Sequence, residues 1–477
     1  MNSTNDIVQR LWNLCHVLRD DGITYHEYVI ELTYLLFLKI AHETQREGQI
    51  PRGYRWNDLK KTPPAEQLTF YSHLLHYLGT QSKGRLLQIY SGASTSLHSP
   101  RNLERLISTI DTIGWYNAGS EGFGELYEGL LDKNASEKKS GAGQYFTPRP
   151  LIDCIVRLVK PLAGEIVQDP AAGTAGFLVA ADRYIKEQTG FLTKLSPQAR
   201  SFQIEEAFWG IELVHDTHRL GLMNLLLHGV EGSFLFGDAL SETGLEVPPA
   251  DVILTNPPFG TKKGGNATRR RDLKFQTSNK QFAFLEHVYR GLKKGGRAAV
   301  VVPDNVLFEE NSGSELREDL MQTTDLHTIL RLPTGIFYAP GVKTNVLFFT
   351  RSRKQEQRTK DVWIYDMRTG MPAFGRRTPL ISEHFSEFEE LFGDDPYGRG
   401  KRKDQGERGR FRKFSRSDIK ARQNNLDITW LNGPSSPAEE AMEARQLATE
   451  IAERLRVATS SIEELHDLLA KLELDRE

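Results

Sequence analysis

Apolar residues recur at helical spacing through the first third of the chain. Ile7, Leu11, Leu14 and Leu18 fall on one helix face. Thr24 and Glu27 form a capping-box pattern ahead of a long apolar helix through Leu38 and Ile40. Further helices are predicted over 66–78 and 102–112. After the Lys-Lys-Ser-Gly-Ala-Gly stretch at 138–143 the pattern changes. Short β-rich runs at 166–169, 208–212, 234–236, 252–254 and 298–302 alternate with helical segments at 176–186, 216–227 and 282–292. Apolar strands alternating with helices argue for an α/β fold with a parallel sheet covered on both faces. Segments 345–350 and 362–365 read as later strands. From 394 to 422 the chain is rich in Gly, Arg and Lys and reads as an exposed loop or flexible connector. A last helix then opens with Ser436 as N-cap, Pro437 at the first turn and Glu439 completing a capping box. Its apolar residues repeat in heptads, Ala441, Ala448, Leu455, Ile462 and Leu469 in one register and Ala444, Ile451, Ala458, Leu465 and Leu472 in the other. A seam that long calls for a partner helix, on its own domain or on another subunit. The expected division is a helical N-terminal domain at 1–135, an α/β domain at 136–393, a basic connector at 394–434 and a partner-binding, coiled-coil-like helix at 435–477.

Composition narrows the class. A chain of 477 residues suggests two or three domains, and 39% hydrophobic against 26% charged residues gives it a core to bury. Its formal net charge is -2, so contact with nucleic acid has to come from local patches or a partner's surface. Two cysteines, Cys15 and Cys154, rule out a disulfide framework and a cysteine-rich zinc module, and no metal site is expected. The start of the chain has no apolar signal core. The most apolar helix, 28–41, carries Glu31 and Lys39 and is too short to span a bilayer. The expectation is a soluble cytoplasmic protein with no membrane contact.

Candidate chemistry gathers at strand ends. The first strand leads into Asp169-Pro170-Ala171-Ala172-Gly173-Thr174-Ala175-Gly176, where small residues opening a helix let a ligand approach the backbone. The next strand ends in Glu212, placed to accept from ribose hydroxyls. The third leads to Asp238 and Ala239, where a carboxylate can accept from an exocyclic amine. Together these acids describe a nucleoside site at the sheet's edge. The fourth strand ends in Asn256-Pro257-Pro258-Phe259-Gly260. The two prolines remove two backbone donors and hold the chain extended. The Asn256 amide oxygen and a free carbonyl beside it make two acceptors for both hydrogens of a planar amino group. Phe259 offers a face for a flat base. The loop that follows carries Lys262, Lys263, Arg269, Arg270 and Arg271, a solvated run or a set of phosphate contacts.

These residues resemble an amino-methylating, S-adenosylmethionine-dependent DNA methyltransferase, and over nearly the whole chain the modification subunit of type I restriction-modification systems. Gln144, Tyr145, Phe146 and Thr147, in Gly143-Gln144-Tyr145-Phe146-Thr147-Pro148, resemble the family's extra cofactor segment. Residues 169–178 resemble its glycine motif, with Ala172 and Ala175 where Cys and Gly are common. Asn256 to Phe259 match its catalytic motif, 332–337 and 343–349 its late sheet segments, and Asn425-Leu426-Asp427 the segment before its C-terminal helices. The resemblance implies a Rossmann-like, seven-stranded mixed methyltransferase sheet. It implies a cofactor site at Gln144, Tyr145, Phe146, Thr147, Asp169, Ala171, Gly173, Thr174, Gly176, Glu212, Asp238 and Ala239. It implies N6 methylation of adenine in a specific DNA sequence, two copies of the chain per specificity subunit, and a restriction or translocase subunit that joins some assemblies. The alternatives are a stand-alone adenine or cytosine-N4 DNA methyltransferase and a protein-glutamine or RNA methyltransferase. Cytosine-C5 chemistry needs a nucleophilic cysteine, and neither Cys15 nor Cys154 follows a proline in a strand-end loop.

Overall fold

The structure, a computed structural model, describes residues 13, 22–112, 147–260, 270–275, 277–337, 343–354, 358–372, 374 and 378–431. The expected first helix at 7–18, Cys15 and the heptad helix at 435–477 lie outside the described residues. In chain order the elements used below are α1 (Tyr25–Glu43), α2 (Pro64–Gln81), α3 (Gly84–Tyr90), α4 (Pro100–Asp111), α5 (Arg149–Val159), β1 (Val167–Asp169) and α6 (Gly176–Gln188). There follow β2 (Phe208–Glu212), α7 (His215–His228), β3 (Ser233–Phe236), β4 (Ala250–Thr255), α8 (Lys280–Gly291), β5 (Leu292–Pro303), α9 (Ser312–Thr323), β6 (Thr324–Arg331), β7 (Thr344–Arg351), β8 (Asp361–Asp366), α10 (Ser386–Phe392) and β9 (Phe411–Ser415). By contact the chain forms two units, one from Met1–Gly143, Ala172–Asp182 and Arg200–Phe236, the other from the remainder.

In the first unit the expected capping box forms. The Glu27 amide donates to Thr24 Oγ1, and the Thr24 amide donates to Glu27 Oε2 at 2.8 Å. The helix it starts, α1, is buried nearly all round, including Tyr28, Leu32, Leu35, Leu36 and Leu38. Each such apolar side chain contributes about 1.5–3 kcal/mol of transfer free energy. Its polar residues are buried with partners. Tyr71 of α2 donates to Glu31 at 2.9 Å, and Lys39 donates to Asp111 at 3.0 Å. The N-terminal helices dock on the β2–β3 pair through arginines. Arg85 of α3 donates to the carbonyls of Val230 and Gly232, and Arg219 of α7 donates to Tyr34 Oη and the Ser91 carbonyl. Strands β2 and β3 run parallel, with Glu212 opposite Phe236.

The second unit is built on strands in the order β1-β4-β5-β7-β6-β8-β9. The pairs β1/β4, β4/β5 and β6/β8 are parallel, and β5/β7, β7/β6 and β8/β9 are antiparallel. Ile253, Val300, Leu347 and Ile329 from its strands pack with Phe282 and Leu285 of α8 and Leu316 and Leu320 of α9 in one apolar core.

Two expectations are corrected. The described residues hold nine strands rather than seven, two in the first unit and seven in the second. The basic connector supplies the ninth. Phe411 is fully buried and stacks on Trp363 at 4.9 Å, while β9 pairs with β8 from Phe411–Tyr365 to Ser415–Asp361. Its arginines are not merely solvated. Arg402 lies 4.5 Å over the Phe392 ring and donates to Thr328 Oγ1 at 2.8 Å. The open edge of β8 needs hydrogen-bond partners, and aromatic faces accept guanidinium planes, so a Gly- and Arg-rich segment folds here.

Candidate active site

Within the first unit the glycine turn and the end of β2 are tied together. Gly173 takes φ +54° and Ala175 φ +64°, both left-handed. The Ala172 amide donates to the Ile211 carbonyl at 2.9 Å, and the Gly173 amide donates to Glu212 Oε2 at 2.9 Å. The Val214 amide donates to Glu212 Oε1 at 2.7 Å. Burial pushes the Glu212 carboxyl up, while amide donors from Val214, Gly173 and Leu213 pull against it. From α7, Asn224 Nδ2 donates to the Thr174 carbonyl at 2.9 Å. A Cβ on Gly221 would crowd Phe234 and the Gly173 carbonyl, so a glycine lets α7 approach the turn. Gly176 starts α6. Asn224 was not singled out from sequence, since its tie to Thr174 depends on how α7 packs.

Within the second unit the ends of β1 and β4 meet. Buried Thr255 donates its hydroxyl to Asp169 Oδ1 at 2.7 Å, and the Ala171 amide donates to the same oxygen at 3.1 Å. Asn256 follows at once. Its Nδ2 donates to Thr147 Oγ1 at 2.9 Å, while its Oδ1 is buried and has no hydrogen-bond partner among the described residues. Pro257 is buried, Pro258 exposed and Phe259 half-buried. The turn is closed from α8, where Gln281 Oε1 accepts from the Gly260 amide at 3.0 Å and the Lys280 amide donates to the Gly260 carbonyl at 3.0 Å. Thr255 and Gln281 are additional to the residues expected. Thr147, expected at the cofactor, is the residue that sets the Asn256 amide. Further along, Asp238 Oδ1 accepts from the Leu240 amide at 2.8 Å, and Ala239 is buried.

The basic run divides. Arg270 does not face solvent: only 4% of it is exposed, and it is bonded to Ala239, His287 and Asp272. Its expected role as a phosphate contact is corrected, because a guanidinium with buried acceptors around it stays in the fold. Arg271 is exposed. Gln144, Tyr145, Phe146, Lys262, Lys263 and Arg269 lie outside the described residues.

A family model described as N-6 DNA Methylase matches residues 118–439. The type I restriction enzyme StySPI methylase subunit of Salmonella potsdam is 47% identical, over 97% of this chain and 95% of its own length. The EcoKI methylase subunit of Escherichia coli K12 gives the same identity and the same coverage. The crystal structure of the EcoKI M protein superposes with a TM-score of 0.58 at 42% identity, over 96% of both chains. A chain from a structural study of type I R-M assembly superposes with a TM-score of 0.72 at 28% identity, over 97% of this chain and 98% of that one. A modification subunit of a putative type I restriction enzyme from Vibrio vulnificus gives 0.70 at 26% identity, over 90% of this chain and 97% of that one. The chain belongs to the N-6 DNA methylase family, among the methylase subunits of type I restriction enzymes.

Proposed function

We propose that, as a methylase subunit of this family, the chain transfers a methyl group from S-adenosylmethionine to the N6 amino group of adenine at a specific DNA sequence. One observation carries the assignment of the site: Asn256 spends its Nδ2 on Thr147 and leaves a buried Oδ1 unpaired. A buried acceptor left unmatched is unfavourable by about 1–3 kcal/mol unless a ligand donor fills it. The two hydrogens of an adenine amine, shared between Oδ1 and a carbonyl of the proline turn, supply that donor.

The cofactor, when bound, supplies an electrophilic methyl on a sulfonium. The chain's part is binding and alignment. Glu212 accepts from ribose hydroxyls, having used one direction of each oxygen on Gly173 and Val214. Asp238 accepts from the adenine amine of the cofactor. Asp169, already bonded to Thr255 and Ala171, braces the turn and does not act as a base. The target amine is a poor nucleophile because its lone pair is delocalised. Holding both hydrogens toward Oδ1 and the neighbouring carbonyl favours a pyramidal nitrogen with its lone pair free, so that orientation and aligned dipoles supply the rate. When bound, the cofactor would supply its methyl to that nitrogen, and the target amine would release its proton to solvent. A base inside duplex DNA cannot reach such a turn, so the adenine leaves the stack and rests on Phe259.

The proposed assembly has two copies of this chain on one specificity subunit, which reads the target. A restriction subunit joins to make the nuclease form. Arg271, Lys262, Lys263 and Arg269 are proposed contacts to phosphate. A soluble cytoplasmic setting is proposed with it; no described helix is long and apolar enough to cross a membrane. A stand-alone enzyme is disfavoured by similarity to subunits along 97% of the chain. The test is to methylate cognate DNA with the assembled complex, digest it to nucleosides and identify the modified base. N6-methyladenine is expected, and Asn256→Ala should lower its rate at least about a hundredfold while cofactor affinity changes little. Wild-type turnover by Asn256→Ala would remove the assignment.

A further inference from the structure

We infer that Arg270 is a positioning residue for the cofactor's adenine, holding the Asp238–Ala239 turn in place from inside the second unit. The inference rests on the reading above, in which Asp238 accepts from the exocyclic amine.

The guanidinium is committed in a specific way. Arg270 Nη1 carries two hydrogens, and both go to buried acceptors, the Ala239 carbonyl and His287 Nδ1, each at 2.7 Å. Nε donates to Asp272 Oδ1 at 2.9 Å, and Nη2 donates to Oδ2 of the same carboxylate. Burial and the neighbouring Arg270 charge push His287 down to about 3, so its ring is neutral and Nδ1 is an acceptor. His287 lies on α8, the helix whose first residues close the Asn256–Gly260 turn. One side chain thus links the Ala239 backbone to that helix.

The turn it grips carries Asp238. The Ser241 amide and hydroxyl both donate to the Asp238 carbonyl, at 2.9 and 2.6 Å, and the Leu240 amide donates to Asp238 Oδ1. Pulling on the Ala239 carbonyl therefore sets the peptide next to the carboxylate that reads the amine. A Cβ on Gly244 would strike both the Ala239 carbonyl and Arg270 Nη1, so that glycine keeps the approach open. Lysine cannot reproduce the arrangement, since one ammonium cannot span the Asp272 fork and two further acceptors.

The test is calorimetric titration of the full-length chain with S-adenosylhomocysteine and with an analogue whose purine lacks the 6-amino group. Arg270→Gln should weaken S-adenosylhomocysteine about tenfold, as loss of one well-placed hydrogen bond does, and the deamino analogue less than about twofold. Arg270→Lys should fall between. At saturating cofactor, kcat of the assembled complex should stay within about twofold while KM for the cofactor rises. Equal weakening of both ligands means a purely structural role, and unchanged affinity for both means none; either overturns the inference. If Arg270→Gln does not fold, Gly244→Ala, which displaces the same carbonyl without removing charge, is read by the same comparison. Failure of the underlying reading looks different: the wild-type chain would then not distinguish the two ligands, and Asp238→Ala would change nothing. Discrimination by the wild type that survives in the Arg270 variants sinks the positioning role alone.

Discussion

At the residue scale the site depends on which way one amide faces. Thr147 Oγ1 accepts from Asn256 Nδ2, and Oδ1, the acceptor proposed for the target amine, has no partner among the described residues. Thr147→Val removes that acceptor while keeping the shape, and the amide is then free to present Nδ2, a donor that repels an amine. The expected result is a ten- to hundredfold drop in kcat, about 1–3 kcal/mol, with little change in cofactor Kd. Single-turnover methylation of cognate DNA by the complex measures it. Ala175 is a second residue under local constraint. It is fully buried and holds φ +64°, where its methyl is disfavoured by about 1–2 kcal/mol relative to glycine. The turn is kept by the bonds on either side of it, from Ile211, Glu212 and Asn224.

At the scale of elements, β9 and β6 each give a measurable consequence. A flexible connector would tolerate Phe411→Ala. As a fully buried strand residue stacked on Trp363, Phe411 should cost about 3–5 kcal/mol on truncation, read as a shift in the denaturant midpoint. On β6, Asp325 has its carboxyl pushed up to about 6 by burial, against the pull of Arg399 and Arg402. Its folded pKa exceeds the unfolded value of about 3.9, so the native state holds the extra proton. The stability it contributes is full below pH ~4 and is lost as pH rises through about 6. Asp325→Asn should match the wild type in stability near pH 4 and exceed it at pH 7–8, by thermal unfolding across that range. His287 works in the opposite sense. Its folded pKa of about 3 lies below the usual 6.5, so its contribution is full above pH ~6.5 and is lost as pH falls through that window.

At the scale of the whole molecule the question is what the chain does without partners. Its formal charge of -2 gives little general attraction to a polyanion, and Arg270, one of its candidate phosphate contacts, is buried. The full-length chain alone is therefore expected to bind S-adenosylmethionine but to methylate DNA at background rate. Adding the specificity subunit should restore site-specific methylation. Removing 435–477, which carries the heptad pattern, should abolish that restoration while leaving cofactor affinity intact. Robust methylation of one defined site by the isolated chain at physiological salt would overturn the dependence.

What the sequence determined by itself was local. Hydrophobic periodicity located α1, β2, β4 and β7, because burial on one face or two leaves a pattern within ten residues. The Thr24–Glu27 box and the Asn256-Pro257-Pro258-Phe259 turn were legible for the same reason: proline, glycine and capping side chains act on their own neighbourhood. The tertiary structure alone decided the partners. Asn256 meets Thr147 across 109 positions, and Asp169 meets Thr255 across 86, set by which strand pairs with which. It also decided the fate of the arginines. In sequence Arg270 is one of three consecutive arginines and Arg402 one of many basic residues in a polar stretch. Whether such a charge is solvated depends on whether folding brings carbonyls, a neutral imidazole or an aromatic face within reach, and no spacing along the chain encodes that.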